Sequence, residues 1–402
     1  MPVPCVARQP IFDRSLRVVG YELLFRDAGL DTEHANVTRG EEATAKVISD
    51  ALMERGLEHV VGSGLGFINV TRPFVVGELP LVLPADHVVL ELLEDVKADP
   101  KLVSAVAELR RQGYRVALDD FHYEEPIRPL LDIADVVKID VLGRDRAELE
   151  RQLELLDPFE VRVLAEKVET HETYELCREL GFHYFQGFFF ERPKLVGGHP
   201  IQPGVVAKVR LAGELQQPGL DLEALERIVS QDVALSYRLV RTVNSAFFSL
   251  PRRISSLHDA LVLLGENQVR RWATVIVLAG LEGKPDELIG TALVRGRMCE
   301  LIAEQAGERK HQGYFLTGLF SLLDALCDAP LEEVIEDLPL DHEIVDALVA
   351  GKGARGEILR SVVAYEHGDF AGAELPPLPA ERIAEAYLGA VGWARDAVNG
   401  IA

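Results

Sequence analysis

The chain has 402 residues, 48% of them hydrophobic, and carries 65 acidic against 42 basic side chains, a formal net charge of −23. That length and apolar content allow one to three domains with sizeable cores. So acidic a balance argues against duplex nucleic acid as the main partner, because such binders present a basic face to phosphate, and it disfavours an anionic membrane surface.

The opening stretch MPVPCVARQPIFD lacks the basic-then-apolar order of a secretory signal. The longest strongly apolar run, around ATVIVLAGL, is far too short to span a bilayer. Cys5, Cys177, Cys299 and Cys327 are scattered, form no CxxC or Cys/His metal spacing, and read as reduced thiols of a cytoplasmic protein. Next comes YELLFR, Tyr21 to Arg26, with Glu22 in an otherwise ordinary strand pattern. Five further runs, GFINVT, HVVLELLE, YRVALDDF, DVVKID and VRVLAEKVE, read as buried strands rich in Val, Ile and Leu. Amphipathic stretches lie between them, such as DPKLVSAVAELRRQG, with a proline near its start and a glycine at its stop. Strands alternating with helices predict parallel strands joined by crossovers, and over residues 1–195 a (β/α)8-type, TIM-like barrel.

Polar residues fall at the ends of these strands. Asn69 ends one, Glu91 and Glu94 another, Asp119 and Asp120 a third, Lys138 and Asp140 a fourth, Glu166 and Glu169 a fifth, and Gln186 follows the next apolar run. In a barrel such ends converge on one rim, where active sites sit. Clustered carboxylates with an amide oxygen are hard ligands, suited to Mg²⁺, Mn²⁺ or Ca²⁺ rather than zinc. Simpler roles stay open: Asp119 and Asp120 can cap a helix, and Lys138 can serve only as an ion-pair partner of Asp140 or Glu166.

The stretch ERPKLVGGHPIQPG, Glu191 to Gly204, has three prolines and three glycines and reads as the linker, its centre at 196–204. Residues 205–395 are helical in pattern almost throughout, so the fold class is α/β plus all-α. Phe247 and Phe248 are expected in the core, PRRIS (Pro251 to Ser255) as a basic turn, and LEEVIEDLPLDHE as a solvated helix face.

Taken together the first half resembles an EAL domain, the phosphodiesterase module for the bacterial second messenger cyclic di-GMP, and the second half resembles an HDOD domain. The EAL-type motifs stand in order as YELLFR, FINVT, LELLED, LDDF, KID, AEKVET and YFQGFFFERP. The resemblance implies a divalent ion, Mg²⁺ or Mn²⁺, held by Glu22, Asn69, Glu91 and Asp119. It implies a second ion bridged by Asp119 with Asp120 and Glu166 near it. Glu166 would accept the proton of the attacking water, Lys138 would steady developing charge, and Arg26 would clamp a phosphate, with Gln186 placing its partners. Glu94, Asp140 and Glu169 would support these groups. The product would be the linear dinucleotide pGpG.

Two departures stand out. The segment after Asp120 reads FHYEEPIRPLL, with His122 in place of a glycine and about two residues missing, and Lys167 replaces a glycine between Glu166 and Glu169. They leave a metal-dependent phosphodiesterase and a cyclic di-GMP receptor or scaffold both open, and homodimerisation with them. The HDOD half is similar to HD phosphohydrolases without their metal-binding pair: Ser321 and Leu322 stand where the pair would fall, and His258–Asp259 is read as coincidence. That half is expected to bind an unidentified protein partner rather than to catalyse.

Overall fold

A computed structural model of the chain describes residues 5–26, 56–81, 83–93, 98–119, 125–194, 203–217, 219–250, 253–308, 311–336 and 338–401; of Arg26, Pro203, His311 and Gln312 it describes the backbone only. Two compact units are present, one built from 1–190 with 366–368, the other from 191–365 with 369–402.

The first unit is a closed barrel of eight strands in chain order. These are β1 (Cys5–Asp13), β2 (Val18–Arg26), β3 (Leu65–Val70), β4 (Val88–Leu92), β5 (Arg115–Leu118), β6 (Val136–Asp140), β7 (Arg162–Glu166) and β8 (Tyr184–Gln186). From β2 to β8 neighbours pair in parallel, as the alternation of strands and helices predicts. The exception is β1, antiparallel to both β2 and β8, a strand the alternation of apolar runs and helices does not mark. Its cause is local. Asp13 accepts hydrogen bonds from the backbone N–H of Ser15 at 2.7 Å and Arg17 at 3.0 Å, and Leu16 takes a left-handed φ of 57°. The chain therefore reverses within a few residues, too few for the crossover that a parallel pair needs.

The three longest described helices on the barrel start where short polar side chains satisfy their first N–H groups. Asp99 accepts from Leu102 N at 2.8 Å ahead of helix Pro100–Arg111. Asp145 and Glu148 form a reciprocal capping box ahead of Arg146–Leu156. Thr170 caps His171–Leu180, which ends on Gly181 in the left-handed region.

Inside the barrel Ile11, Phe67, Val89, Ala117, Val136 and Leu164 form an apolar plug, with Tyr184 packed against it. Burying each of the larger of these side chains contributes roughly 1.5–3 kcal/mol. Side chains on a strand repeat every second residue. The next inward position along each parallel strand is therefore Asn69, Glu91, Asp119, Lys138, Glu166 or Gln186, one polar layer directly above the plug.

The second unit is helical. Helices Asp286–Gln305 and His311–Phe320 cross closely at Gly296 and Gly318; a Cβ on Gly318 would stand 2.5 Å from the carbonyl oxygen of Arg295. Asn244 ends helix Val233–Val243 and clamps the following loop, donating to Ile254 O at 2.9 Å and accepting from Ile254 N at 2.8 Å. Phe247 and Phe248 are half-buried rather than in the core, set edge-on to Trp272 at 4.9 and 5.3 Å. Asp259 lies in the first turn of helix Leu257–Leu264, which Ser256 caps, and the exposed His258 faces Glu226 at 3.2 Å. Ser321 accepts from the buried Arg295 at 3.1 Å, and Arg295 also pairs with Glu191 at 2.7 Å, so the first residue of the expected linker is bonded into this unit. Residues 195–202, most of that linker, lie outside the described residues, as do Pro251 and Arg252 of the basic turn. Among the described residues no helix is long and apolar enough to cross a membrane.

Candidate active site

Lys138 is the centre of the polar layer. Its side chain is 0% exposed, and Nζ stands 2.8 Å from Glu91 Oε1, 2.8 Å from Glu166 Oε1, 3.0 Å from Asp119 Oδ1 and 3.2 Å from Glu22 Oε2. These four carboxylates arrive from β4, β7, the exit of β5, and β2. Of the two partners foreseen for Lys138, Glu166 is present, while Asp140 pairs instead with Lys167 at 2.5 Å. An ammonium has three protons for four carboxylates, so the cluster is under-served. Glu91 meets the ammonium through Oε1 alone, and its buried Oε2 has no hydrogen-bond partner.

The amides complete the layer. Gln186 Nε2 donates to Glu22 Oε2 at 2.6 Å and to Gln9 Oε1 at 2.7 Å, and Asn69 Nδ2 donates to Glu22 Oε1 at 3.3 Å. Gln9 was not foreseen. Its signal was present, a polar residue two positions before Ile11 in VARQPIF, but it is legible only once β1 is known to be a strand that runs in reverse.

Electrostatics follow from burial. For Lys138 burial opposes the charge, yet Glu91, Glu22, Glu166 and Asp119 outweigh it and hold the ammonium protonated far above neutrality. Burial and the neighbouring Glu22 push the Glu91 carboxyl well above the usual range despite Lys138. Glu166 is pushed up to about 7, by burial first and then by Asp119 and Glu22, against the pull of Lys138. Asp140 is held below the usual carboxylate range: burial opposes this, but the hydrogen bonds from Lys167 and Leu142 N prevail.

Glu169 is exposed and is not among the carboxylates on Lys138. Asp120, Glu94, His122 and the side chain of Arg26 lie outside the described residues.

The residues present fit a hard divalent cation. Four carboxylates converge on one point, and the buried acceptors Asn69 Oδ1 and Gln186 Oε1 have no hydrogen-bond donor. Among the described residues no three acidic, histidine or cysteine side chains form a ready-made cage; the carboxylates close on the Lys138 ammonium.

Gly187 fixes the exit of β8. Its φ is 146°, and a Cβ there would stand 2.1 Å from Val168 O. Gly187→Ala is expected to lower barrel stability by about 2 kcal/mol or more, through strain and displacement of Gln186. Hydrogen exchange of β7 and β8 across a urea titration, which follows the barrel by itself, checks this, and a loss below 0.5 kcal/mol, roughly that of a neutral surface change, would refute it.

A TIM-type barrel with a buried acidic layer on its C-terminal rim, followed by an all-helical unit, is a two-domain protein with one polar site in the first half. The EAL-domain model matches residues 71–193 and the HDOD-domain model residues 200–373. Glu22 and Asn69 precede the first match, although the barrel brings them into the same layer. The chain is 36% identical over 373 residues to the cyclic di-GMP phosphodiesterase CdgJ of Vibrio cholerae, covering 92% of this chain and 86% of that protein. It is 32% identical to the protein YuxH of Bacillus subtilis, covering 98% of each. Among solved structures it is similar to the Bacillus subtilis YkuI protein, with an EAL domain, in complex with cyclic di-GMP and calcium: 22% identity, TM-score 0.40, 66% of this chain and 73% of that one. The chain belongs to the EAL–HDOD family.

Proposed function

We propose that the chain is a phosphodiesterase that hydrolyses cyclic di-GMP to pGpG, with the helical unit as its regulatory or partner-binding module, acting in the cytoplasm. The observation that carries this reading is the convergence of Glu22, Glu91, Asp119 and Glu166 on one buried point, in a family whose relative CdgJ is named a cyclic di-GMP phosphodiesterase. Glu22, Asn69, Glu91 and Asp119 would hold Mg²⁺ or Mn²⁺, with Asp120 serving a second ion. The cation would supply Lewis-acid polarisation of the scissile phosphodiester.

The chain's own groups do the rest. Glu166, whose carboxyl is pushed up to about 7 in the metal-free site, would take a proton from the attacking water. Lys138 holds Glu166 and Asp119 in position, and its fixed charge opposes the negative charge that builds on phosphorus oxygens. Gln186 donates to Glu22 and Gln9 together and so fixes the orientation of Glu22. Arg26 would clamp a phosphate.

Incubation with cyclic di-GMP and Mg²⁺ or Mn²⁺, with products separated by chromatography, tests this. Formation of pGpG is expected, reduced at least 100-fold in Glu166→Gln and in Glu22→Gln. A second reading, a cyclic di-GMP receptor, is favoured by the ammonium that fills the centre of the carboxylates. Tight binding with no product in either metal would replace the first reading with the second.

A further inference from the structure

We propose that Lys167 is an anion-binding residue of this site, seating a phosphodiester of the substrate at the barrel rim. This rests on the cyclic dinucleotide reading above and adds a recognition residue to it.

The charge at the rim sets the problem. Glu22, Glu91, Asp119 and Glu166 crowd one buried layer and Asp140 lies partly exposed at the end of β6, whereas each phosphodiester of the substrate carries a negative charge. Lys138 cannot contact an incoming phosphodiester directly, because it is 0% exposed and enclosed by four carboxylates that its single charge does not balance. Lys167 directly follows Glu166, keeps 52% of its side chain exposed, and sets Nζ 2.5 Å from Asp140 Oδ2. The other oxygen of Asp140 accepts from Leu142 N at 2.8 Å.

The backbone at Lys167 is the second observation. Its φ is +55°, a left-handed conformation that a side chain disfavours and glycine takes freely. The flanks are pinned: Val141 N donates to Glu166 O at 3.1 Å, Val168 N to Gln186 O at 3.0 Å, and Phe189 N to Val168 O at 3.1 Å. The kink is therefore imposed by the exits of β6 and β8. The fold has no need of a lysine there, and a strained residue held by its surroundings is characteristic of ligand sites. The kink directs the ammonium onto Asp140. Exposed ion pairs hold weakly, so an incoming phosphodiester can draw the ammonium from its parking position.

The test is calorimetric titration of the full chain with cyclic di-GMP in Ca²⁺, with chromatography confirming that the dinucleotide stays intact. Lys167→Gly suits the backbone and is expected to melt no lower than the wild type, yet to bind at least tenfold more weakly. Lys167→Arg is expected within threefold of the wild type. Asp140→Asn, which releases the ammonium, is expected to bind as tightly as the wild type or more so. Binding by Lys167→Gly within threefold of the wild type would overturn the proposal. So would an equal loss in Asp140→Asn, since the pair would then be structural. Failure of the wild type to bind overturns the cyclic dinucleotide reading and this inference together, whereas wild-type binding indifferent to Lys167→Gly overturns this inference alone.

Discussion

Lys138→Met is expected to destabilise the barrel by about 3–5 kcal/mol in EDTA, the usual cost of removing one partner from a buried ion pair. Methionine fills a similar volume, so the effect is one of charge rather than of a cavity. Without the ammonium, Glu22, Glu91, Asp119 and Glu166 face one another across one point, and three of them already stand within 3.0 Å of the vanished nitrogen. Part of the loss should be recovered by Ca²⁺ or Mn²⁺; a ligand at 100 times its Kd returns about 2.7 kcal/mol. Adding Glu91→Gln should also recover some, because burial already drives Glu91 toward its neutral form. The barrel transition must be followed by itself, since the two units need not unfold together. Trp272 and Trp393, the chain's two tryptophans, lie in the helical unit, so their fluorescence reports the wrong transition. Hydrogen exchange of β4 to β7 reports the right one. A loss below about 1 kcal/mol, the scale of an exposed ion pair, would mean that the carboxylates do not depend on this ammonium.

The strands β3 to β8 were legible because each pairs an apolar run with a polar end, and a period of two carries the polar residue to the same layer as its neighbours. Hence Asn69, Glu91, Asp119, Lys138, Glu166 and Gln186 could be brought together before any coordinates. Less legible was β1. CVARQPIFD contains a proline, carries an arginine and a glutamine in mid-run, and makes a hairpin rather than a crossover, so it offered no helix partner as a cue. Losing β1 meant losing Gln9. The partner of Lys138 was also beyond reach from sequence alone, since Asp140 lies two residues away and Glu166 on the next strand, and only the three-dimensional register turns Nζ to Glu166 while Lys167 takes Asp140. That Lys167 stands at a left-handed position explains why a glycine fits there and shows the lysine to be an addition the fold tolerates at a cost of about 1–2 kcal/mol.

In EDTA the barrel is expected to lose stability as pH rises from about 4.5 to about 7, the reverse of what ion-paired surface carboxylates produce. Glu166 releases its proton near its ordinary 4.5 in the unfolded chain but keeps it to about 7 in the barrel. Between those values the folded state binds more protons than the unfolded state, so stability falls with pH. The contribution is fully present below the unfolded value and is lost as pH passes the folded one. A displacement of this size amounts to on the order of 3 kcal/mol. Glu91, also raised by burial, acts in the same direction, whereas Asp140, held low by Lys167, loses its contribution only under more acid conditions. Denaturant titrations of the wild type at pH 5 and pH 8 should therefore differ, and Glu166→Gln should remove most of the difference by supplying a neutral side chain at every pH. Equal pH dependence in the wild type and Glu166→Gln would show that Glu166 ionises as freely in the barrel as in the unfolded chain, and would remove the physical basis for casting it as a proton acceptor. The stability given up near neutrality and the readiness to exchange a proton there have one cause, a carboxyl buried among other carboxylates.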